Sequence, residues 1–349
     1  MKSTRQAPPG KDRGLRRGFA MLATLSIFAL SAGACDKTNP PQPGEIRTVK
    51  FKSEGATLVG NLHYPANYRP GERYPAIIVT GSWTTVKEQM PALYAQKFAR
   101  EKDLIALTFD FRNYGASEGE PRFYESPRLK IEDIQNAAAY LASVNAVDPK
   151  RVGGFAVCAS AGYLLEAAAA APERIQAIAT AASWLHDAEA VKLFYGGEAG
   201  VQKRIAAARQ AKAKYEASGE VEYIPTISAS DESAAMYGPF DYYLNPERGA
   251  IAEWSADKFA VMSWEDWLSY DPMPSARRLQ TPVLMIHSDG AVLPDYAKKY
   301  FAAIQSDHKK LHWISSGAQP PFEQFDFYDD PQKTQLSVDL AADWFAIHL

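Results

Sequence analysis

Two side chains able to attack a carbonyl stand two residues apart, at Cys158 and Ser160. They occur in the stretch Val152-Gly-Gly-Phe-Ala-Val-Cys-Ala-Ser-Ala-Gly-Tyr163. There, an apolar run of strand character stops at Cys158, and helix formers follow from Leu164 to Ala171. A sharp strand-to-helix turn of this kind lifts a nucleophile clear of a sheet, and it requires small residues two positions before and after that nucleophile. Ser160 meets the requirement with Cys158 and Gly162 and is the expected nucleophile. In that register the Ala161 amide faces a developing oxyanion. Cys158, flanked by Ala156 and Ser160, is the runner-up; it leaves Gly162 outside the constrained positions. The same turn also occurs between a strand and an alanine-rich helix with no chemistry attached.

A serine hydroxyl needs a base, normally an imidazole held by a carboxylate. The chain has six histidines. His63, His308, His312 and His348 sit within or beside regular elements and read as structural. His186, followed by Asp187, and His287 fall at the carboxyl ends of two expected strands, the edge where such sheets gather their working groups. His186 is narrowly preferred as base, with His287 second. No cofactor is implied, and no cluster of His and Cys has the spacing of a metal site.

The elements that must position these residues alternate. Residues 45–65 read as an antiparallel pair turning at Gly55. Strands are expected over Tyr74–Thr80, Asp103–Asp110, Ile175–Trp184, Thr281–His287 and Lys309–Ile314. Helices are expected over Val86–Lys102, Leu129–Val144, Pro294–Ile304 and Gln335–Leu349. This order predicts an α/β fold, with a mostly parallel sheet covered by helices on both faces. A hydrophobic fraction of 46% supplies a large core, and a net charge of -3 gives no pull toward nucleic acid. Between Trp184 and Thr281 an insertion, about residues 187–278, begins helical and becomes aromatic-rich. Its Tyr237, Phe240, Tyr242, Tyr243, Trp254, Phe259, Trp264, Trp267 and Tyr270 either form the insertion's own core or line a pocket over the turn.

The first residues have another role. Basic residues up to Arg16-Arg17 precede the apolar run Phe19–Leu30, and the small residues Ser31-Ala-Gly-Ala34 end at Cys35. That order marks residues 1–35 as an export signal. The Arg pair resembles a twin-arginine signal, and the run before Cys35 resembles a lipobox, which implies lipid attachment at Cys35. Residues 36–44 form a polar tether and residues 45–349 the folded domain. The expected location is the periplasmic side of a bacterial membrane, reached through a lipid anchor alone, or the medium if Cys35 carries no lipid.

From residue 45 to 349 the chain resembles the α/β-hydrolases, in particular the dienelactone-hydrolase and prolyl-oligopeptidase-like branch. The resemblance rests on the turn at Cys158–Gly162, on Gly81-Ser-Trp83 after the first parallel strand, and on Asp110-Phe-Arg-Asn-Tyr-Gly-Ala-Ser-Glu-Gly119. It implies an α/β-hydrolase fold with a helical, aromatic-rich cap, and an oxyanion hole completed by the amide of Ser82 or Trp83. It implies an acid after the strand ending at His287. Asp289 is the nearest one, the usual position being Gly290 or Ala291. It places the base after the last strand, where Gln324 stands instead. The expected activity is that of a serine esterase acting through Ser160 on a small-molecule ester or related acyl substrate. The alternative is a binding protein whose triad has been lost, motivated by Gln324.

Overall fold

The computed structural model describes residues 40–349, so the export signal and Cys35 lie outside the described residues. In chain order the elements are β1 Ile46–Ser53, β2 Ala56–His63, β3 Tyr74–Thr80, α1 Met90–Lys102, β4 Ile105–Phe109, α2 Pro127–Ser143, β5 Val147–Val157, α3 Ala159–Ala170 and β6 Ile178–Ala181. A long excursion follows: α4 Ala190–Phe194, α5 Gly197–Ser218, β7 Tyr223–Ile224, β8 Ile227–Ser228, β9 Met236–Tyr237, α6 Asp241–Leu244, β10 Phe259–Ala260 and α7 Ser263–Ser269. The chain then returns through β11 Val283–Ser288, α8 Pro294–Ala303, β12 Lys309–Ile314, α9 Asp326–Asp329 and α10 Pro331–His348.

Eight strands form one sheet in the order β1-β2-β4-β3-β5-β6-β11-β12. The β1–β2 hairpin turns on Glu54 and Gly55, both at positive φ, the backbone that matches strand twist in a two-residue turn. β2 joins β4 antiparallel, and every pairing from β4 to β12 is parallel. Strand order reverses at β3. Right-handed crossovers therefore send α1 to one face and α2, α3 and α8 to the other. On the first face Phe98 of α1 meets Phe345 of α10; on the second, Gln135 of α2 bonds the Ala167 carbonyl of α3. Covered on both sides, β4 is buried at all five positions.

The excursion between β6 and β11 is the cap. In α5 only Val201, Ala208 and Ala211 are buried, so this long helix touches the rest along a narrow stripe. Trp264 and Trp267 of α7 are buried and face inward. The cap's short strands pair only among themselves, β10 with β7 and β8 with β9.

Candidate active site

Strand β5 ends at Val157, whose neighbour across the sheet is Ala181, and α3 begins at Ala159. The one residue between them is Cys158, at φ 59° and ψ -124°. This region is costly for any side chain and is found where a turn must present one. The apex is therefore Cys158, and the small flanking residues are Ala156 and Ser160. Ser160 is corrected as nucleophile. It lies in the first turn of α3, fully buried, its Oγ without a hydrogen-bond partner among the described residues and away from the cavity. Gly162 is small for another reason: a Cβ there would sit 3.2 Å from the Tyr270 hydroxyl.

The amides expected to serve as oxyanion donors are engaged differently around this apex. The Ala161 amide is spent on the Cys158 carbonyl at 3.1 Å, inside the helix. The Ser82 amide is spent on Met90 Sδ at 3.4 Å. The amides that face the Cys158 sulfur are those of Ala159 and Trp83. Of the expected donors, Trp83 alone remains, joined by Ala159.

The loop bearing Trp83 is clamped from several sides. Gly81 permits its close passage, since a Cβ would come within 2.7 Å of Met90 Sδ and Thr85. Ser82 Oγ bonds Thr85 and the Tyr243 hydroxyl. The Thr84 amide donates to Glu125, and its carbonyl accepts from Trp254 Nε1 at 3.0 Å. Beyond it Lys87 gives both its amide and its ammonium to buried Asp110, each at 2.8 Å. The Trp83 ring packs on Phe259, Trp264 and Trp267 of the cap. The Asp110–Gly119 loop thus acts as a brace for the oxyanion loop.

A cavity of about 180 Å³ opens over Cys158. Trp83 and Trp184 line it together with Phe194, Tyr195, Met236, Phe240, Tyr243 and Trp267 of the cap. Of the cap aromatics named in the sequence, Tyr237, Phe240, Tyr243 and Trp267 line it, whereas Tyr242, Trp254, Phe259, Trp264 and Tyr270 pack elsewhere. Burial pushes the Cys158 thiol up; hydrogen bonds from Tyr328, from the Ala159 and Trp83 amides and from Gln324 pull the other way without overcoming it.

No histidine lines this cavity. His186 is buried beside the Trp267 and Tyr270 rings. Its Nδ1 accepts from Trp184 Nε1 at 2.7 Å, and its Nε2 lies 3.1 Å from the Trp267 carbonyl. Both nitrogens are occupied and burial pushes its pKa down to about 4, so it is corrected to a structural residue. Asp187 instead pairs with Lys299 at 2.8 Å and accepts the Glu189 and Ala190 amides. His287 stacks on Trp313, and its ring nitrogens are engaged by the backbone of Ser183, Ser288 and Val292; it too is structural. Asp289 accepts the Ser316 and Gly317 amides in a surface loop and does not line the cavity, which removes it as the acid.

Gln324 does reach the site. It is buried, with Oε1 accepting from the Val292 amide at 3.0 Å and Nε2 donating to the Ala182 carbonyl at 2.8 Å. Tyr328, one helical turn later, brings its hydroxyl to the same place. Sequence reasoning missed Tyr328, although its spacing of four from Gln324 was a visible signal.

The fold and this strand–turn–helix apex define an α/β-hydrolase. A family model described as esterase FrsA-like matches residues 23–192. The uncharacterized protein PA2218 of Pseudomonas aeruginosa is 30% identical over 331 residues, 90% of this chain and 84% of the relative. Its crystal structure superposes with a TM-score of 0.75 at 26% identity, covering 89% of this chain and 96% of the other. The α/β hydrolase GrgF of Penicillium sp. sh18 shares the fold at a TM-score of 0.70 and 21% identity, over 87% and 99% of the two chains. A thiohydrolase of Eupenicillium brefeldianum is 33% identical over 130 residues, 37% of this chain and 39% of its own. The chain belongs to the α/β-hydrolase superfamily and, within it, to the family of PA2218.

Proposed function

We propose that the protein is an acyl hydrolase that works through Cys158 on esters or thioesters of an apolar acid. The observation that carries this reading is the backbone of Cys158, φ 59° and ψ -124°, with the Ala159 and Trp83 amides facing its sulfur. In the first step the thiolate adds to the substrate carbonyl, and the carbonyl oxygen takes its negative charge between those two amides. Collapse expels the alkoxide or thiolate, which takes a proton from solvent, and leaves a thioester on Cys158. Water then adds to the thioester carbonyl, and the acid departs as the Cys158 sulfur leaves. The thiol proton goes to solvent, because an amide such as Gln324 cannot accept it. Turnover then draws on the thiolate fraction, which is small for a thiol raised by burial. The thiohydrolase among its relatives supports sulfur-ester chemistry on a related chain.

A second reading has its own observation. Gln324 is tied at both ends to backbone, and with it the site holds an apolar ligand without turning it over. One experiment separates them: steady-state hydrolysis of a p-nitrophenyl ester and of an acyl thioester by wild type, Cys158→Ala and Ser160→Ala. The hydrolase reading expects loss of about 1,000-fold in Cys158→Ala and little change in Ser160→Ala. Absence of turnover in wild type at every pH, with ligand binding intact, favours the binding protein.

The sequence of residues 1–44 adds export and lipid attachment at Cys35 to this proposal. Metabolic labelling with a palmitate analogue should mark wild type and not Cys35→Ala.

A further inference from the structure

A second apolar hollow adjoins the cavity. It measures about 230 Å³ and is lined by Leu193, Leu293, Pro294, Tyr296 and Pro320, with Asp295 its single charged residue. Phe194, Val292 and Pro321 line both hollows, so the two share one junction. The Phe194 ring rests on Trp184, 4.7 Å between centroids, and is 40% exposed on its other side. Leu193, which lines the second hollow, is 72% exposed, a large apolar side chain open to water among the described residues.

The residues at this junction bear on the positions where a hydrolase of this kind would keep its charged partners. Val292 directly follows Ala291, one of the two usual acid positions, and its amide holds Gln324, the residue at the base position. An ionised pair here would need polar partners in an apolar wall, at a cost of several kcal/mol. The neutral residues present leave an apolar passage from Cys158 to the surface.

The geometry points to a substrate class: an ester or thioester of a long, unbranched aliphatic acid. Its carbonyl sits at Cys158, and its chain runs between Phe194, Val292 and Pro321 into the outer hollow. The tail ends without charge, since a second carboxylate would meet Asp295. Residues at the junction and beyond set the preferred chain length, and the chain covers Leu193. This inference rests on the Cys158 reading only for which end of the chain lies inward.

Binding of straight-chain alcohols from butanol to dodecanol tests it without turnover, read by the fluorescence of Trp83, Trp184 and Trp267. In wild type and Cys158→Ala alike, Kd should fall about fourfold per added methylene along the whole series, as expected for a chain buried carbon by carbon. Leu193→Asp, at an exposed position, should leave butanol binding within about twofold of wild type and remove the gain for the longest alcohols. Val292→Trp, filling the junction, should end the gain at shorter chains. A wild-type series that is flat beyond hexanol would overturn the proposal, as would Leu193→Asp weakening every alcohol equally. Failure of the Cys158 reading has a different signature, hydrolysis that survives Cys158→Ala while the alcohol series stays intact.

Discussion

The two sides of the Cys158 cavity are built to different standards. On the oxyanion side, the Trp83 loop is fixed by Asp110, Glu125, Trp254 and Tyr243 and by three cap aromatics. On the other side Gln324 is tied to backbone at the position where the resemblance implies an imidazole, Asp289 lies in a surface loop, and Val292 presents an apolar wall. On the proposed reading, the half that would stabilise charge on a carbonyl is firmly built, whereas the half that would move a proton carries no titratable group among the residues lining the cavity at Gln324 and Val292. Transition-state binding and proton transfer are separable contributions, each worth orders of magnitude in rate. A sulfur nucleophile tolerates loss of the second half better than an oxygen one, because a thiol ionises far more readily than a serine hydroxyl.

Breaking the built side should have the largest effect. Asp110→Ala leaves the Lys87 ammonium buried with only Glu88 beside it, and should cost about 3–5 kcal/mol of stability. Urea unfolding measures that loss, and esterase activity of the protein still folded should fall with it as the Trp83 amide loosens.

The buried histidines sharpen the contrast next, because they fail as bases for a reason that stability reports. His63 and His186 both have pKa values pushed down to about 4, chiefly by burial, from an ordinary value of 6.5. The folded state resists protonation that the unfolded chain accepts. Their contribution is therefore complete above about pH 6.5 and is lost as pH falls toward about 4, at about 3 kcal/mol per histidine. Denaturant midpoints at pH 7 and near pH 4.5 should show this drop, and His63→Leu should reduce it. An equal drop in His63→Leu would contradict the assignment.

Restoring the base side should change the rate by less. Gln324→His puts an imidazole where Gln324 already meets the thiol's surroundings, and should raise hydrolysis at pH 7 by about 100-fold. In wild type, kcat/KM should climb about tenfold per pH unit through the neutral and alkaline range, because only the thiolate reacts and burial raises the thiol. The Gln324→His profile should flatten near neutrality. A wild-type profile already flat at pH 7 would mean that another group takes the proton.

Much of this was legible in the sequence, and what was not has a physical cause. Apolar runs bounded by turn residues gave the parallel strands, because strands covered on both faces must be apolar throughout. Twin small-residue patterns surround the apex, Cys158 with Gly162 about Ser160 and Ala156 with Ser160 about Cys158. They differ only in where the strand stops. The pairing of Val157 with Ala181 decides that, a contact between distant residues. Gly162 pointed to the wrong register because its smallness answers to Tyr270, in the cap. The substitution at Gln324 was visible as soon as the loop after β12 showed no histidine. His186 could not be judged, because the partners of both its nitrogens are set by how Trp184 and the cap fold over it. The cap's aromatic residues could be counted but not divided between cavity and core, since the short strands that orient them carry almost no local pattern.

The most direct test of Cys158 as the acyl-bearing residue is to trap the intermediate. Wild-type protein mixed with an activated ester of a long-chain acid, quenched in acid and digested, should yield a peptide acylated at Cys158, with the acyl group released by neutral hydroxylamine as a thioester. Acylation at Ser160 instead, stable to neutral hydroxylamine and retained in Cys158→Ala, would contradict the account.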